Sequence, residues 1–238
     1  MIHLIKKAIN PFGCDLVKFP HREDRRFIQL LSQLNIDTLF DVGANIGQFS
    51  ENIRRYGYKN KIVSFEPLSE AFGVLQKKSK NDKLWNICNS AIGDIDDMVE
   101  INVSQNLQSS SILPMKDTHL KAAPYSRYYK KEKVKISRID TIINNYADKQ
   151  SNLFVKIDTQ GFEKKVIEGA ILSLPQIKGF IMELSLVPLY DGETLFLDMI
   201  SYMESLQFEM WQIEPGFYDE NKQRLLQADV VFVSKSQF

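Results

Sequence analysis

The chain of 238 residues is poor in the side chains that build disulfide frameworks and metal centres. Its two cysteines, Cys14 and Cys88, are too few for a disulfide framework and show no metal-ligand spacing. The three histidines, His3, His21 and His119, do not form a zinc-binding pattern. We therefore predict no metal ligands among these residues, and the sequence leaves the metal dependence of the protein open.

The chain also lacks a net charge and a long apolar run. Its 30 basic and 30 acidic side chains cancel, so the overall charge gives no reason to expect a nucleic-acid partner. No apolar stretch approaches the roughly 18 residues that a transmembrane span requires, and no signal peptide with a cleavage site is visible. We expect a cytoplasmic protein without a transmembrane segment.

Residues 1–36 precede the first predicted strand. Residues 1–10 are amphipathic, and the spacing of apolar residues predicts a helix over Arg22–Leu34. We interpret 1–36 as an N-terminal helical extension and 37–238 as one domain, because a chain with 44% hydrophobic residues can form one sizeable core. A ten-residue helix binds a membrane surface weakly by itself. We expect residues 1–10 to pack on the domain or on a second subunit, as in a homo-oligomer.

The most informative segment that is present is DVGANIGQ, residues 41–48. The apolar run Leu39–Val42 predicts a buried strand, and Gln48–Tyr56 has helical spacing. Between them, Gly43 and Gly47 allow a tight turn that a ligand can approach closely. A strand, a glycine turn and a helix form a β-α unit whose ligand site is at the carboxyl end of the strand. The alternative is that both are ordinary turn glycines without a ligand.

A carboxylate follows the next predicted strand. Residues 61–65 form a second short apolar run, and Glu66 lies about 20 residues after the glycine turn, the offset of a carboxylate that binds a ribose diol. A carboxylate can accept hydrogen bonds from both ribose hydroxyls. Pro67 ends the strand because it has no N–H to donate. The sequence therefore predicts a nucleoside site at the rim of the sheet.

The spacing and charge of the glycine turn indicate which nucleoside binds there. The pattern is G-x-x-x-G rather than the G-x-G-x-x-G that places a helix N-terminus on a pyrophosphate. Asp41 adds a negative charge, which suits the ammonium and sulfonium groups of S-adenosylmethionine better than the phosphates of NAD. We therefore predict S-adenosylmethionine as the cofactor. An NAD-dependent oxidoreductase is a less favoured alternative.

Three ordered motifs carry a family resemblance. They are DVGANIGQ at residues 41–48, FEP at residues 65–67 and KIDTQGFE at residues 156–163. Together they resemble the FkbM family of S-adenosylmethionine-dependent methyltransferases, and the similarity runs from about Asp37 to about Val233. The resemblance implies methylation, with oxygen as the favoured acceptor atom, of a sugar, glycan or related secondary metabolite. A cofactor-binding module without catalysis is the main alternative.

The chain departs from the family pattern within the third motif. The family more often has valine, glutamate and alanine where this chain has Thr159, Gln160 and Phe162. The chain therefore has no carboxylate at position 160, so no acid or base role can depend on one there.

The remaining pattern predicts an α/β fold. Strand and helix signals alternate, with helices predicted over Phe162–Leu172 and Glu193–Leu206. Two final strand signals, Phe208–Ile213 and Ala228–Val233, follow each other without an intervening helix. We predict a Rossmann-like class I methyltransferase fold, with a doubly wound, mostly parallel sheet and a terminal antiparallel hairpin. The resemblance implies that the loop after the third strand meets the adenine, which makes Ser90 and Ala91 candidate contacts. The predicted cofactor contacts are Asp41, Gly43, Ala44, Asn45, Gly47, Gln48, Glu66, Pro67, Ser90, Ala91 and Asp158.

Transfer of a methyl group to a hydroxyl requires a nearby base. Asp158 and Glu183 are candidates because each follows a predicted strand at its carboxyl end. Either carboxylate could instead bind the cofactor's ammonium group, cap the following helix or pair with Lys156 or Lys164. Glu183 could also lie within a longer strand. His119 is a third candidate, although a single loop histidine is commonly just exposed.

A long polar segment, Ser104–Glu132, has the length of a binding loop or lid. It contains Ser110, which we predict to contact the acceptor together with Gln160 and Tyr190. The basic cluster Arg127–Lys135 is interpreted as a solvated surface loop. The alternative is a docking strip for a phosphate-bearing acceptor.

Overall fold

The computed structural model describes residues 22–237. The predictions for residues 1–10, with those for His3, Cys14 and His21 and for a homo-oligomer formed through this segment, lie outside the described residues. Within the described range, no helix combines the length and apolar character needed to cross a membrane.

Seven helices and twelve strands follow one another along the described chain. The helices are α1 (Arg22–Gln33), α2 (Gln48–Tyr56), α3 (Ser69–Ser79), α4 (Asp117–Ala122), α5 (Ile139–Ile142), α6 (Glu163–Glu168) and α7 (Phe196–Ser205). The strands are β1 (Thr38–Val42), β2 (Lys61–Phe65), β3 (Trp85–Cys88), β4 (Ala91–Ile92), β5 (Asp97–Ser104), β6 (Tyr128–Ser137), β7 (Leu153–Ile157), β8 (Ile177–Ser185), β9 (Phe208–Pro215), β10 (Tyr218–Asp219), β11 (Arg224–Leu225) and β12 (Gln227–Ser234).

A seven-stranded sheet organises the molecule, in the order β3-β2-β1-β7-β8-β12-β9. The first five strands in this order are parallel, whereas β12 is antiparallel to both β8 and β9. The predicted mostly parallel sheet and its terminal antiparallel hairpin are therefore confirmed. Strand order reverses at β1, which lies between β2 and β7, and a crevice opens at the carboxyl ends of strands at such a point.

Helices cover both faces of this sheet because side chains alternate along each strand. Leu39 and Phe154 point to the face that packs against Leu31 of α1. Phe40 and Val155 point to the other face, which packs against α5, α6 and α7. The described part of the predicted N-terminal extension is thus packed on the sheet, while the domain boundary at residue 36 stays a prediction.

A second, three-stranded sheet has the order β4-β6-β5. Its strand β6 contains most of the basic cluster, so the predicted loop is wrong, whereas the predicted solvent exposure of the lysines is confirmed. Val134 and Ile136 are buried, whereas Lys133 and Lys135 are exposed. The lysines occupy the outer positions of an alternating strand that pairs with β5.

Two predicted helix boundaries also differ from the structure. The helix predicted over Phe162–Leu172 ends at Glu168, and a separate 3₁₀ turn follows. The helix ends where Gly169 packs against the backbone of Gly93. A Cβ on Gly169 would lie 1.8 Å from the Gly93 carbonyl oxygen. The helix predicted from Glu193 begins at Phe196. The Glu193 carboxylate instead accepts the backbone N–H groups of Leu189 and Tyr190.

Candidate functional site

A cavity of about 610 Å³ opens at the carboxyl ends of the parallel strands, within the size range of small-molecule sites. Its walls come from the glycine turn, the segment after β2, the ends of β7 and β8 and the loop after β5. Predicted site residues that line it are Gly43, Ala44, Asn45, Gln48, Glu66, Pro67, Ser90, Ala91, Ser110, His119, Asp158, Gln160 and Glu183. Asp41, Gly47 and Tyr190 do not line it.

The two glycines of the turn have different roles. Gly43 has a φ of 73°, and a Cβ there would lie 1.9 Å from the Asp158 carbonyl oxygen. Its missing side chain therefore lets the turn pass over the end of β7. Gly47 has a φ of 84°, but a Cβ there would meet Leu75 and Trp85 in the core. The prediction that Gly47 contacts the ligand is corrected to a packing role.

Glu66 lies at the rim of the cavity and faces the glycine turn. Its Oε2 accepts the N–H of Asn45 at 2.7 Å, and its Oε1 accepts the N–H of Leu68 at 2.8 Å. Each oxygen retains a free lone pair for a further donor. Burial raises the pKa of the Glu66 carboxyl to about 7.

The structure places Asp41 away from the cavity, contrary to the prediction that it contacts the cofactor. Its side chain is fully buried. Side chains alternate along a strand, so the Asp41 side chain points to the opposite face from Val42 and lies beneath α2. Its Oδ2 accepts a hydrogen bond from Ser50 at 2.7 Å, and its Oδ1 lies 3.2 Å from Lys156 Nζ. Asp41 acts on the site only through Lys156, which does line the cavity.

Gln160 joins two of the candidate catalytic carboxylates. Its Nε2 donates to Asp158 Oδ1 at 2.7 Å and to Glu183 Oε2 at 2.9 Å. Its Oε1 accepts the hydroxyl of Tyr190 at 2.7 Å. Tyr190 is almost completely buried, so its predicted contact with the acceptor is corrected to support of the Gln160 amide.

The neighbouring carboxyl groups differ in exposure and acidity. Asp158 has a side chain that is 39% exposed, and it does not cap α6, which begins at Glu163. Burial and the charge of Asp158 raise the pKa of Glu183 well above its ordinary value. Burial also raises the pKa of Asp229 to about 6.

The strand β8 continues past Glu183, so the prediction that Glu183 ends a strand is wrong. The Glu183 side chain nevertheless lines the cavity.

His119 is neither exposed nor suited to catalysis as a base. Burial lowers its pKa to about 4, because the charged ring would lose its hydration. Its Nε2 lies 3.1 Å from Ser126 Oγ, and its ring packs against Tyr190 and Phe217. A group with this pKa is a weak base near neutral pH, so the predicted catalytic role of His119 is corrected to a structural one in the cavity wall.

Several lining residues were missed from the sequence. Asp229 and Gln227 of β12 face the cavity from the terminal hairpin, and Phe217 lies beside them. A usable signal for Asp229 was a carboxylate within the otherwise apolar run Ala228–Val233. Lys156 was considered only as an ion-pair partner, because its position beneath the glycine turn depends on the pairing of β1 with β7.

The family model for the methyltransferase FkbM domain matches residues 41–210, which is well over half of the chain. The chain belongs to the FkbM methyltransferase family. Membership of this family assigns the chain to the methyltransferases and confirms the resemblance carried by the three motifs. A comparison with curated proteins returned no significant match.

Solved structures agree with the FkbM assignment. Methyltransferase FkbM from Methylobacillus flagellatus KT superposes with a TM-score of 0.51 at 15% identity, over 84% of this chain and 44% of that chain. This FkbM chain therefore spans less than half the length of that relative. At this identity the likeness shows the fold alone, which is the predicted class I methyltransferase fold.

A more distant likeness is to magnesium protoporphyrin IX methyltransferase from Synechocystis PCC 6803. That structure contains bound S-adenosylmethionine and gives a TM-score of 0.46 at 8% identity, over 98% of this chain and 96% of that chain. We draw no conclusion from a likeness at this score.

Proposed function

We propose that this FkbM methyltransferase uses S-adenosylmethionine to methylate a hydroxyl of a sugar, glycan or related metabolite. The observation that carries the cofactor assignment is Glu66, a buried carboxylate held by the glycine-turn amide of Asn45 at 2.7 Å on the cavity rim. Its remaining lone pairs suit the two hydroxyls of a ribose. The carboxylates of Asp158 and Asp229, which also line the cavity, suit a cationic sulfonium.

The cavity wall supports a neutral acceptor that is rich in hydroxyl groups. Asn106, Ser110 and Gln227 present neutral polar side chains, and Phe217 adds an aromatic face. A site with a few placed polar groups and an apolar surface is typical of small-molecule recognition. An acceptor hydroxyl therefore has both hydrogen-bond partners and a surface against which a ring can pack.

Asp158 is the residue that we assign as the base. When bound, S-adenosylmethionine supplies an electrophilic methyl group on a sulfonium sulfur. Gln160 holds Asp158 Oδ1, while Oδ2 lies 3.6 Å from Lys156 Nζ and is free to accept a proton from the acceptor hydroxyl. Glu183, whose pKa is raised, favours the protonated form and can donate a hydrogen bond to a second acceptor oxygen.

Two measurements test the proposal in sequence. Isothermal titration calorimetry with S-adenosylhomocysteine and with NAD should give binding of the first ligand alone. Incubation with methyl-labelled S-adenosylmethionine and a panel of mono- and oligosaccharides should then give labelled ether products. Binding of NAD alone would overturn the cofactor assignment, whereas cofactor binding without transfer to any acceptor would favour a non-catalytic module.

The Asp158→Asn variant tests the base. An asparagine keeps the Oδ1 that Gln160 contacts but cannot take up a proton, so we expect turnover to fall roughly 100-fold or more with the affinity for S-adenosylhomocysteine little changed. Asp97→Asn is the matched control, because Asp97 lies on the surface at the start of β5. Wild-type turnover in Asp158→Asn would show that another group removes the proton.

A further inference from the structure

The cavity has a marked imbalance of charge. Among the described residues that line it, four carry carboxyl groups, namely Glu66, Asp158, Glu183 and Asp229, and Lys156 carries the one positive charge. The methionine part of the proposed cofactor carries the two charged groups of an amino acid, a carboxylate and an ammonium group. A carboxylate placed among these acidic side chains requires a cation beside it.

Lys156 is held at the glycine turn by several acceptors. Its Nζ donates to the Gly43 carbonyl oxygen at 3.0 Å and lies 3.2 Å from Asp41 Oδ1. Its side chain is only 12% exposed, and the Phe49 ring lies beside the ammonium group, 5.8 Å from Nζ to the ring centroid. These contacts fix the direction of a long side chain before any ligand binds, which lowers the entropy cost of using it.

We propose that Lys156 binds the α-carboxylate at the amino-acid end of the cofactor. The inference rests on the proposed function, since it requires that S-adenosylmethionine or its product occupies the cavity. Lys156 would then have two roles at once. It neutralises the buried Asp41, and it offers a cation to a carboxylate in a cavity whose other ionisable lining residues are mainly acidic. Asp41 would in turn be a positioning residue that acts through Lys156.

The protonation of Lys156 agrees with this role. Burial alone would lower its pKa, but the carboxylates of Asp41 and Asp158 outweigh burial and raise the pKa overall. The ammonium group therefore stays charged throughout the physiological pH range.

The competing explanation is that the N-terminus of α2 holds the carboxylate. Free backbone N–H groups at a helix start attract anions, and α2 begins beside the cavity at Gln48. The two explanations differ in one respect. Removal of the Lys156 ammonium group should abolish recognition of the carboxylate in the first case and leave it intact in the second.

The experiment compares two ligands that differ only in the carboxylate. These are S-adenosylhomocysteine and its decarboxylated analogue, 5′-deoxy-5′-(3-aminopropylthio)adenosine, and their dissociation constants are measured by calorimetry. The test variant is the double substitution Asp41→Asn/Lys156→Met, which avoids leaving a buried carboxylate without its cation. The matched control is Lys61→Met, which removes a half-buried lysine that donates to the Tyr146 carbonyl oxygen instead. Asp41→Asn is an intermediate variant, because it keeps the ammonium group but removes the carboxylate that positions it.

We expect the wild-type chain to bind S-adenosylhomocysteine roughly ten- to a hundredfold more tightly than the decarboxylated analogue. This preference should persist in Lys61→Met, be reduced but not lost in Asp41→Asn, and disappear in the double variant. A preference that persists in the double variant would overturn the inference and assign the carboxylate to α2.

Two wild-type results decide the matter even if the double variant does not fold. Equal affinity for the two ligands would overturn the inference while leaving the proposed function in place, because the adenosine part would still be bound. Absence of binding by either ligand would overturn the proposed function itself, and the inference with it.

Discussion

Gln160 shows how much a single residue contributes to this site. It has a φ of 57°, a left-handed conformation that costs a non-glycine residue about 1–2 kcal/mol. The conformation is held by Ser111, whose hydroxyl donates to the Gln160 carbonyl oxygen at 2.7 Å, and by Tyr190 at the side-chain oxygen. The surrounding structure thus maintains a strained backbone so that one amide can join Asp158 and Glu183.

Glu66→Ala tests the nucleoside contact at the same scale. Loss of charge-assisted hydrogen bonds to the ribose should weaken S-adenosylhomocysteine binding by about 1.5–3 kcal/mol, as measured by calorimetry. Glu51→Ala is a suitable control, because Glu51 pairs with Lys78 on the surface of α2 and α3. An unchanged dissociation constant in Glu66→Ala would exclude Glu66 from the binding site.

At the scale of elements, the turn between β1 and α2 depends on a close backbone approach. Gly43→Ala introduces both a positive φ and a clash with the Asp158 carbonyl oxygen. We expect it to lower the free energy of unfolding by about 3 kcal/mol or more, as measured by urea denaturation.

Gly57→Ala separates the two causes. Gly57 also has a positive φ, of 112°, but no atom lies within 4 Å of the position of its Cβ. Its substitution should therefore cost only about 1–2 kcal/mol. If both variants lost the same free energy of unfolding, the close approach of Gly43 to the Asp158 carbonyl oxygen would contribute nothing beyond the cost of the positive φ.

At the scale of the whole molecule, buried carboxyl groups should determine how stability depends on pH. Burial raises the pKa values of Glu66 and Glu163 from 4.5 to about 7 and that of Asp229 from 3.8 to about 6. The folded state therefore holds these protons more tightly, and the stability that they contribute is lost as pH rises from about 4.5 through 7. His119 has the opposite effect on stability. Burial lowers its pKa from 6.5 to about 4, so it destabilises the folded state as the pH falls below about 6.5.

We therefore expect the melting temperature of the ligand-free chain to fall between about pH 5.5 and pH 8, as measured by scanning calorimetry. Glu163→Gln should reduce the slope, because glutamine keeps an oxygen for the N–H groups of Thr159 and Gly161 but does not titrate. A melting temperature that rises over this range would show that these carboxyl groups are not protonated in the folded state.

The sequence by itself determined the β-α units, the glycine turn, Glu66 and the family. These depend on local periodicity and on short-range motif spacing, both of which can be read directly from the sequence. The same reasoning failed where contacts between distant segments override local preference. The basic cluster became a strand because β5 pairs with it, and Asp41 faces Lys156 rather than the cavity because β1 lies beside β7.

Only the tertiary structure decided how the catalytic side of the site is assembled. Asp158 and Gln160 follow β7, whereas Glu183, Tyr190 and Asp229 come from three other segments. They meet because the parallel strands end at one edge and the terminal hairpin returns beside β8. Their protonation likewise depends on burial and on neighbouring charges, which follow from packing and not from residue type. Composition and spacing could indicate the proposed methyl-donor site, but the arrangement that we propose for proton removal exists only once the sheet has formed.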